Sequence, residues 1–299
     1  IFRHRMSKSN LQLNIENETS ALKSVILGIG EDSGPFYPNN PKMKYHITNG
    51  TMPKQKDMIS EIEGFRQILE NYGIKVIMPR NIPGQDQMFS RDIAFVIGNK
   101  IVKANMKIDN RRPEYEGIKH IIKQINLDNV LIPPKEAFIE GGDVVLYNKY
   151  IFVGQGNRTN YAGYKFLKNS FPEKEVIPLN LKVTLDHLTN VLHLDCVFQP
   201  VGHNHAILYE EGFLEKPKAI IDIFREKNII KISAKEKFDM FPNIFSISPK
   251  LVVIEKNFHR LNEELNKIGI KTIRVKYSDM EKNDGLLRCS TLPLYREKT

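Results

Sequence analysis

The sequence predicts an α/β fold made of five ββαβ units of about fifty residues each. Three observations support this. A helical pattern returns five times, a short β-branched run follows each helix, and strand-like segments precede each helix. Repeats of this size that bury their faces against one another form solenoids, propellers or closed rings. The alternative is a mixed α/β domain whose even spacing is coincidental.

Each predicted helix has apolar residues at intervals of three and four positions, the pattern of a helix with one buried face. The five helical segments are 57–72, 114–125, 161–171, 216–227 and 258–268. Gly73 and Gly269 follow the first and the last of them. A glycine commonly ends a helix, so these two helices are expected to stop there.

Strands are predicted on both sides of every helix, because β-branched and aromatic residues are concentrated there. The strands before the helices are 24–27, 93–97, 100–104, 144–146, 150–153, 196–199, 206–208 and 246–254. The strands after the helices are 74–77, 130–132, 175–177, 229–232 and 272–275.

The chain is expected to form one domain over residues 6–299, because no stretch rich in Gly, Pro or Ser divides it. Residues 1–5 precede Met6 and are interpreted as a remnant of expression cloning. No apolar run approaches the roughly 18 residues that a membrane span needs. No signal peptide is recognised at the start.

The composition bears on partners and location. The 299 residues include 44 Lys and Arg against 35 Asp and Glu, a formal charge of +9. The lysines are spread along the chain without a dense basic cluster and interleaved aromatics, so nucleic acid is not an expected partner. Two cysteines are too few for a disulfide framework, which indicates a reducing cytoplasm with free thiols.

Polar residues at equivalent places in the units mark a candidate site. Asp92, Glu140 and His193 precede the first strands of units two, three and four, and Cys289 follows unit five. In a ring of such units, equivalent positions converge on the central axis. A thiol, an imidazole and carboxylates that meet there would supply a nucleophile, an acid–base and a clamp for a cation.

Two of these places also stand out locally. The segment 191–198 reads VLHLDCVF and is predicted to be a strand. Since side chains alternate between the faces of a strand, His193 and Asp195 would share one face and Cys196 would face the core. Cys289 lies beside Arg288 in a stretch of small residues, which favours an activated thiolate; a buried inert thiol is the alternative.

In this order, the motifs resemble those of the guanidino-group-modifying enzymes of the pentein fold: arginine deiminases, dimethylarginine dimethylaminohydrolases, arginine dihydrolases and amidinotransferases. The resemblance covers nearly the whole chain and is carried by Ser90-Arg91-Asp92, Glu140-Gly141-Gly142-Asp143, Gly154 with Arg158-Thr159-Asn160, His193-Leu194-Asp195 and Arg288-Cys289. It implies a five-fold pseudosymmetric β/α propeller, in agreement with the five predicted units. It also implies a reaction that needs no metal and no organic cofactor.

The resemblance implies a catalytic role for three residues. Cys289 would be the nucleophile, His193 the general acid–base and Glu140 the acidic partner in catalysis. The proposed nucleophile attacks the central guanidino carbon, and the imidazole protonates the leaving amine and later deprotonates the attacking water. Cys196 is expected to take no part.

The same resemblance implies four substrate-binding residues. Asp92 and Asp195 would grip the guanidinium, which is planar, charged and presents forked donors that carboxylates hold bidentately. Arg158 and Arg288 would bind the α-carboxylate of an amino-acid substrate. Asp195 also favours a deiminase-, dihydrolase- or transferase-like clamp, because dimethylarginine hydrolases usually lack an acid two residues after the histidine.

The expected activity is hydrolysis of the guanidino group of arginine or an N-substituted arginine, with release of ammonia or an alkylamine. An amidinotransferase that passes the amidino group to an amine is the alternative. A non-catalytic ring that binds a macromolecule is a second alternative. The expected partner is a small guanidino compound, and the sequence is compatible with a homodimer.

Overall fold

A computed structural model describes residues 11–298, which form five three-stranded sheets. The strands are β1 (Leu22–Leu27), β2 (Lys75–Ile77), β3 (Ala94–Ile97), β4 (Lys100–Lys103), β5 (Val130–Leu131), β6 (Val144–Tyr147), β7 (Tyr150–Gln155), β8 (Glu175–Asn180), β9 (Phe198–Val201), β10 (His205–Leu208), β11 (Ile229–Lys231), β12 (Phe245–Ser248), β13 (Leu251–Glu255), β14 (Lys271–Val275) and β15 (Thr291–Arg296). The helices are α1 (Pro41–Thr48), α2 (Gln55–Asn71), α3 (Ser90–Ile93), α4 (Lys119–Ile122), α5 (Tyr161–Ser170), α6 (Lys218–Phe224), α7 (Ala234–Phe238), α8 (His259–Lys267) and α9 (Ser278–Glu281). The interpretation of residues 1–5 and the start at Met6 concern residues outside this range.

Every sheet has the same topology. The strand orders are β15-β1-β2, β3-β4-β5, β6-β7-β8, β9-β10-β11 and β12-β13-β14. The middle strand pairs antiparallel with the first strand and parallel with the third. A helical connection joins each parallel pair, since parallel strands need a crossover. The predicted α/β fold of five ββαβ units is confirmed.

The last strand of the chain completes the first sheet. Leu27 of β1 lies opposite Thr291 of β15, and the two strands run antiparallel. β15 also contacts β3, and β1 contacts β12, so the first unit touches both the second and the fifth. The ring of a five-fold propeller is closed by joining the two ends of the chain. No strand was predicted at β15, so the predicted first unit lacks its first strand.

The helices bury one face against the sheets. In α2, Met58, Ile62, Phe65 and Leu69 are buried at intervals of three and four, as the sequence pattern predicts. Full burial of a side chain such as Phe65 contributes about 1.5–3 kcal/mol. The strands that these helices cover are apolar on both faces; all of β3 is buried, as expected for strands packed between layers.

Two predicted helices are shorter than their apolar patterns. The segment predicted as helix 114–125 is a 3₁₀ turn over Asp109–Gly117 followed by the single turn of α4. Pro113 lies inside the 3₁₀ turn, and proline removes a backbone donor that an α-helix needs. The segment predicted as helix 216–227 ends at Phe224, because Arg225 adopts a positive φ of 66°.

The prediction of a strand over 191–198 is wrong for every residue before Phe198. Leu194–Cys196 is a 3₁₀ turn, and β9 begins at Phe198. The backbone N–H of Leu194 donates to Asp143 Oδ1 at 3.0 Å, and that of Cys196 donates to the His193 carbonyl at 3.1 Å. Because these donors are used locally, they cannot join a ladder, and His193 and Asp195 are neighbours in a turn.

Among residues 11–298, no helix combines the length and the hydropathy that crossing a bilayer requires.

Candidate active site

The site is formed by the turns that precede the first strands of the sheets. α3 carries Asp92 to β3, Glu140 begins the turn before β6, and His193 begins the turn before β9. Cys289 lies in the turn before β15. All four side chains are buried. The side-chain atoms of Asp92, Glu140 and His193 come within 4.8 Å of one another, so residues far apart in sequence meet at one end of the ring.

His193 is held between two carboxylates. Its Nε2 lies 2.8 Å from Glu140 Oε2, and its Nδ1 lies 3.7 Å from Asp92 Oδ1. Burial lowers the pKa of His193, but Asp92, Asp143 and Glu140 outweigh this effect and raise the pKa to about 10. The imidazole is therefore protonated at neutral pH and is ready to act as an acid.

Gly142 makes the close approach to the imidazole possible. A Cβ at this position would lie 2.7 Å from His193 Nδ1 and 2.9 Å from Asp92 Oδ1, closer than a side chain can come. The Gly-Gly pair before β6 is therefore required by packing at the site and is more than a turn signal.

Glu140 stays ionised although it is fully buried. Burial raises its pKa, but Arg158 and His193 lower it to about 2. Arg158 Nη1 donates to Glu140 Oε2 at 3.1 Å, the same oxygen that His193 contacts. The other oxygen, Oε1, has no hydrogen-bond partner among the residues that the structure describes. Glu140 thus orients the imidazole and keeps one acceptor free.

Cys289 lies next to carboxylates rather than next to a cation. Its Sγ is 3.6 Å from Asp195 Oδ2. Burial, Asp195 and Asp92 raise the pKa of Cys289 well above its ordinary value. The thiol is therefore protonated at neutral pH. Cys196 contacts the other oxygen of the same carboxylate at 3.8 Å, and burial raises its pKa as well.

The expectation that Arg288 binds a substrate carboxylate needs correction. Arg288 is fully buried, and its guanidinium donates to Asp195 Oδ2 at 2.8 Å and to Glu18 Oε1 at 2.8 Å. It also donates to the carbonyl of Val144 at 2.8 Å. These acceptors lie inside the ring, so Arg288 supports Asp195 from behind and does not line the cavity that leads to the site.

A cavity leads from the surface to Asp92. Its charged lining residues are Asp86, Asp92, Arg111, Glu114, Arg158 and Asp284. Arg111 donates to Asp92 Oδ2 at 2.9 Å and to both oxygens of Glu114, at 2.8 and 3.0 Å. Cys289, 2% exposed, lies outside this lining, whereas Asp92 and Arg111 belong to it. The Arg111–Asp92 pair is therefore the part of the site that the cavity reaches.

A cover of residues 33–43 forms the outer wall of the cavity. It enters α1, where Asn40 accepts a hydrogen bond from the N–H of Met43 at 2.8 Å and Pro41 occupies the first turn. The carbonyl of Asn39 accepts a hydrogen bond from Arg158 Nη2 at 3.3 Å. Arg158 thus contacts both Glu140 and the cover.

Sequence reasoning missed Arg111, Asp86 and Asn243 as site residues. Arg111 lies in a 3₁₀ turn immediately before a segment interpreted as helical. Asp86, whose pKa is raised by burial, accepts a hydrogen bond from Asn283 at 2.8 Å. Asn243 precedes β12, the first strand of unit five, just as Asp92 precedes β3, the first strand of unit two. The repeat could therefore have identified it.

Asp92, Glu140 and His193 offer enough ligand atoms for a metal ion. However, a metal takes histidine in its neutral form. The raised pKa of His193, about 10, and its hydrogen bond to Glu140 oppose that form at neutral pH. The same carboxylates are better suited to an organic cation that brings its own N–H donors.

The family model described as "N,N dimethylarginine dimethylhydrolase, eukaryotic" matches residues 38–296. The chain is 28% identical over 234 residues to the uncharacterized protein YkgA of Bacillus subtilis, covering 77% of each chain. It is 29% identical over 249 residues to an arginine deiminase of Listeria monocytogenes, covering 70% of this chain and 61% of the deiminase. It is 24% identical over 216 residues to N(G),N(G)-dimethylarginine dimethylaminohydrolase of Pseudomonas aeruginosa, covering 72% of this chain and 80% of that protein.

Solved structures share the fold. The amidinotransferase SxtG of Microseira wollei, from a saxitoxin biosynthetic pathway, superposes with a TM-score of 0.80 at 21% identity, covering 96% of this chain and 98% of SxtG. The N-terminal domain of ArgZ, a cyanobacterial arginine dihydrolase, superposes with a TM-score of 0.81 at 18% identity, covering 91% of this chain and 98% of that domain. Hydrolases and a transferase thus share this architecture, and the fold does not distinguish between them.

Proposed function

Because the chain belongs to the family of N,N-dimethylarginine dimethylhydrolases, within the guanidino-group-modifying enzymes of the pentein fold, we propose that it hydrolyses the guanidino group of arginine or an N-substituted arginine. The reaction would proceed through a covalent adduct on Cys289 and release ammonia or an alkylamine. The observation that carries this proposal is the pair of buried acceptors Asp92 Oδ1 and Glu140 Oε1, which lack hydrogen-bond partners within residues 11–298. A guanidinium supplies the donors that they need.

Binding of the guanidinium to Asp92 would displace Arg111. Arg111 would remain attached to Glu114 by two hydrogen bonds. Its outer nitrogen would then be free, beside Arg158, to meet the α-carboxylate of an amino-acid substrate. In this proposal Arg158 keeps the role that the sequence suggests, and Arg111 takes the role first assigned to Arg288. Asp195 would hold the reacting end of the guanidinium beside Cys289.

The substrate would also promote ionisation of the nucleophile. The pKa of Cys289 is raised by burial and by Asp195 and Asp92. A guanidinium that binds to these carboxylates neutralises them and favours the thiolate. The Cys289 thiol releases its proton to solvent when the guanidinium binds. The resting pair of a neutral thiol and a protonated His193 thus becomes a thiolate and an imidazolium only when substrate is bound.

The proposed chemistry has two steps. The Cys289 thiolate forms an S–C bond to the central guanidino carbon, His193 gives its proton to the leaving amine, and the C–N bond breaks. Neutral His193 then takes a proton from a water that attacks the adduct. The S–C bond breaks, the thiolate returns, and a ureido product leaves. Glu140 steadies the imidazolium in both steps.

An amidinotransferase remains the second candidate function. It would use the same adduct, and SxtG shares the fold over almost its whole length. The difference is the second nucleophile, because an amine would take the place of water. A small guanidino compound as partner, a cytoplasmic location and a homodimer stay predictions.

The test is product analysis by mass spectrometry after incubation with L-arginine, Nω-methylated arginines, and arginine plus glycine. A ureido product supports the hydrolase, and an amidino group on glycine supports the transferase. Cys289→Ser should abolish either product, because a thiolate is a far better nucleophile than a neutral hydroxyl. Cys196→Ser is the matched control and should keep full turnover. Product from Cys289→Ser, or loss of product in Cys196→Ser, would place the nucleophile elsewhere.

A further inference from the structure

Asn243 contacts Cys289 at two points. Its Oδ1 accepts a hydrogen bond from the backbone N–H of Cys289 at 3.0 Å, and its Nδ2 lies 3.1 Å from Cys289 Sγ. The backbone carbonyl of Asn243 also accepts a hydrogen bond from the N–H of Arg288 at 3.3 Å. Asn243 is fully buried. The amide therefore fixes both the main chain and the side chain of the proposed nucleophile.

The orientation of this amide follows from hydrogen-bond chemistry. The backbone N–H of Cys289 is a donor, so the carboxamide must turn its oxygen toward it. The NH₂ group is then left facing the sulfur, which accepts hydrogen bonds, most strongly as a thiolate. Exchange of the two ends of the amide would set a donor against a donor. Asn243 thus presents an N–H to Sγ.

The position of Asn243 in the ring explains why it contacts Cys289. Units one to four bring Cys289, Asp92, Glu140 and His193 to the axis through the turns before their first strands. The corresponding turn of unit five precedes β12 and brings Asn243. Each of the five units therefore contributes a side chain to the same cluster.

We infer that Asn243 is a positioning residue for Cys289, which holds the sulfur in one rotamer and stabilises its thiolate form. This inference rests on the proposed function, in which Cys289 is the nucleophile. The sulfur is otherwise surrounded by carboxylates, with Asp195 at 3.6 Å, so a donor of hydrogen bonds is needed to favour the charged form. Among the residues that the structure describes, the side chain of Asn243 makes hydrogen bonds to Cys289 alone, so it is expected to act on the nucleophile and not on substrate affinity.

Asn243→Asp separates the two contacts. The aspartate has the same shape and can still accept the hydrogen bond from the Cys289 N–H, but it replaces the N–H donor with an acceptor and a negative charge. In a Cys196→Ser background, alkylation of Cys289 by iodoacetamide should slow by about 10- to 100-fold at pH 8, the range for a hydrogen bond to a charged group. The rise of the alkylation rate with pH should move to higher pH. The kcat for a guanidino substrate should fall by a similar factor, with KM unchanged.

Asn190→Asp is the matched control, because Asn190 is also buried but its side chain accepts its hydrogen bond from the N–H of Thr184. This variant should leave the alkylation profile unchanged. Asn243→Ala serves if Asn243→Asp does not fold, and thermal unfolding reports on both. A wild-type alkylation profile in a folded Asn243 variant overturns the inference. Alkylation needs no guanidino compound, so the inference can hold even if no substrate is turned over, and turnover can be confirmed even if the alkylation profile does not change.

Discussion

Two arginines, the half-buried Arg111 and the fully buried Arg288, each hold two carboxylates, but around different members of the cluster formed by Asp92, Glu140, His193 and Cys289. On the cavity side, Arg111 binds Asp92 and Glu114. On the inner side, Arg288 binds Asp195 and Glu18. Arg111 lines the cavity, whereas Arg288 is fully buried. Under the proposed function, the same ion-pair chemistry serves substrate binding at Arg111 and support of Asp195 at Arg288, and the position of each arginine in the fold distinguishes the two roles.

The first test of this comparison removes the imidazole of His193, the proposed acid–base, and leaves both arginines in place. His193 contacts Asp92 and Glu140, whereas Asp195 holds Cys289 from the inner side. His193→Ala should still allow some attack by Cys289 on a substrate with a good leaving group, but should stall hydrolysis, since loss of a general base costs about 10²–10⁴-fold. Intact-protein mass spectrometry after an acid quench should show added mass on Cys289.

Cys196 is the internal control of that experiment and should carry no added mass. An absence of adduct from every guanidino compound, in both wild type and variant, would contradict covalent catalysis and favour the non-catalytic ring. High salt should reduce adduct formation only mildly. The overall charge of +9 opposes a cationic substrate at long range, so capture depends on contacts with the buried carboxylates.

The second test exchanges the two arginines for methionine. Arg288→Met removes the buried cation that Asp195 and Glu18 share and should reduce the free energy of unfolding by about 3–5 kcal/mol. Arg111→Met should reduce it less, because burial already raises the pKa of Glu114 to about 8 and Asp92 still faces His193 at 3.7 Å. Its main effect should be a higher KM for substrates with an α-carboxylate. Urea denaturation and steady-state kinetics on both variants check this. Equal losses of stability would remove the distinction between the two sides.

The roles of these two arginines could not be predicted from the sequence, although the fold could. The five ββαβ units and the polar residues at their turns could be predicted from the sequence. Apolar residues recur every three to four positions in helices and every two in strands, which is a strong signal. The family resemblance assigns Arg288 to the substrate carboxylate, yet in the structure its guanidinium pairs with Asp195 and Glu18. Arg111 was overlooked, because the length of the connection between β4 and β5 hides which of its side chains turns inward.

The closure of the ring could not be predicted from local sequence patterns either. β15 pairs with β1 across almost the whole chain, and no local pattern reports such a partner. Consequently Cys289 was assigned a place after unit five, although it precedes the first strand of unit one. The turn at Leu194–Cys196 was likewise interpreted as a strand, because its alternating apolar residues are buried for tertiary reasons.

The third test compares the two carboxylates proposed to grip the guanidinium. Asp92→Asn should weaken substrate capture by about 2–5 kcal/mol, the usual cost of leaving a buried charge without its partner. Asp195→Asn should weaken capture and also lower stability, since Arg288 then loses one of its two negatively charged partners. Binding of a slow substrate and chemical denaturation measure the two effects. Unchanged kinetics in both variants would remove the guanidinium clamp.

The last expected effect is a loss of stability as the pH rises from 5 to 8. It should arise from buried groups of the cluster and the cavity, including Glu114, whose pKa burial raises to about 8. The pKa of His193 rises from 6.5 to about 10 on folding, so the stability that it contributes is complete below pH 6.5 and falls as the pH rises toward 10. Burial raises the pKa of Asp143 from 3.8 to about 7, which has the same sign at lower pH. Each group lowers the free energy of unfolding by at most about 1.4 kcal/mol per pH unit. On the inner side, the pKa of Glu18 is about 2 and that of Arg288 is raised, so neither titrates in this range. Denaturation at pH 5, 6.5 and 8 should therefore show a slope that is weakened in His193→Ala and in Asp143→Asn but kept in Arg288→Met; a slope lost in Arg288→Met would instead place the titrating groups on the inner side.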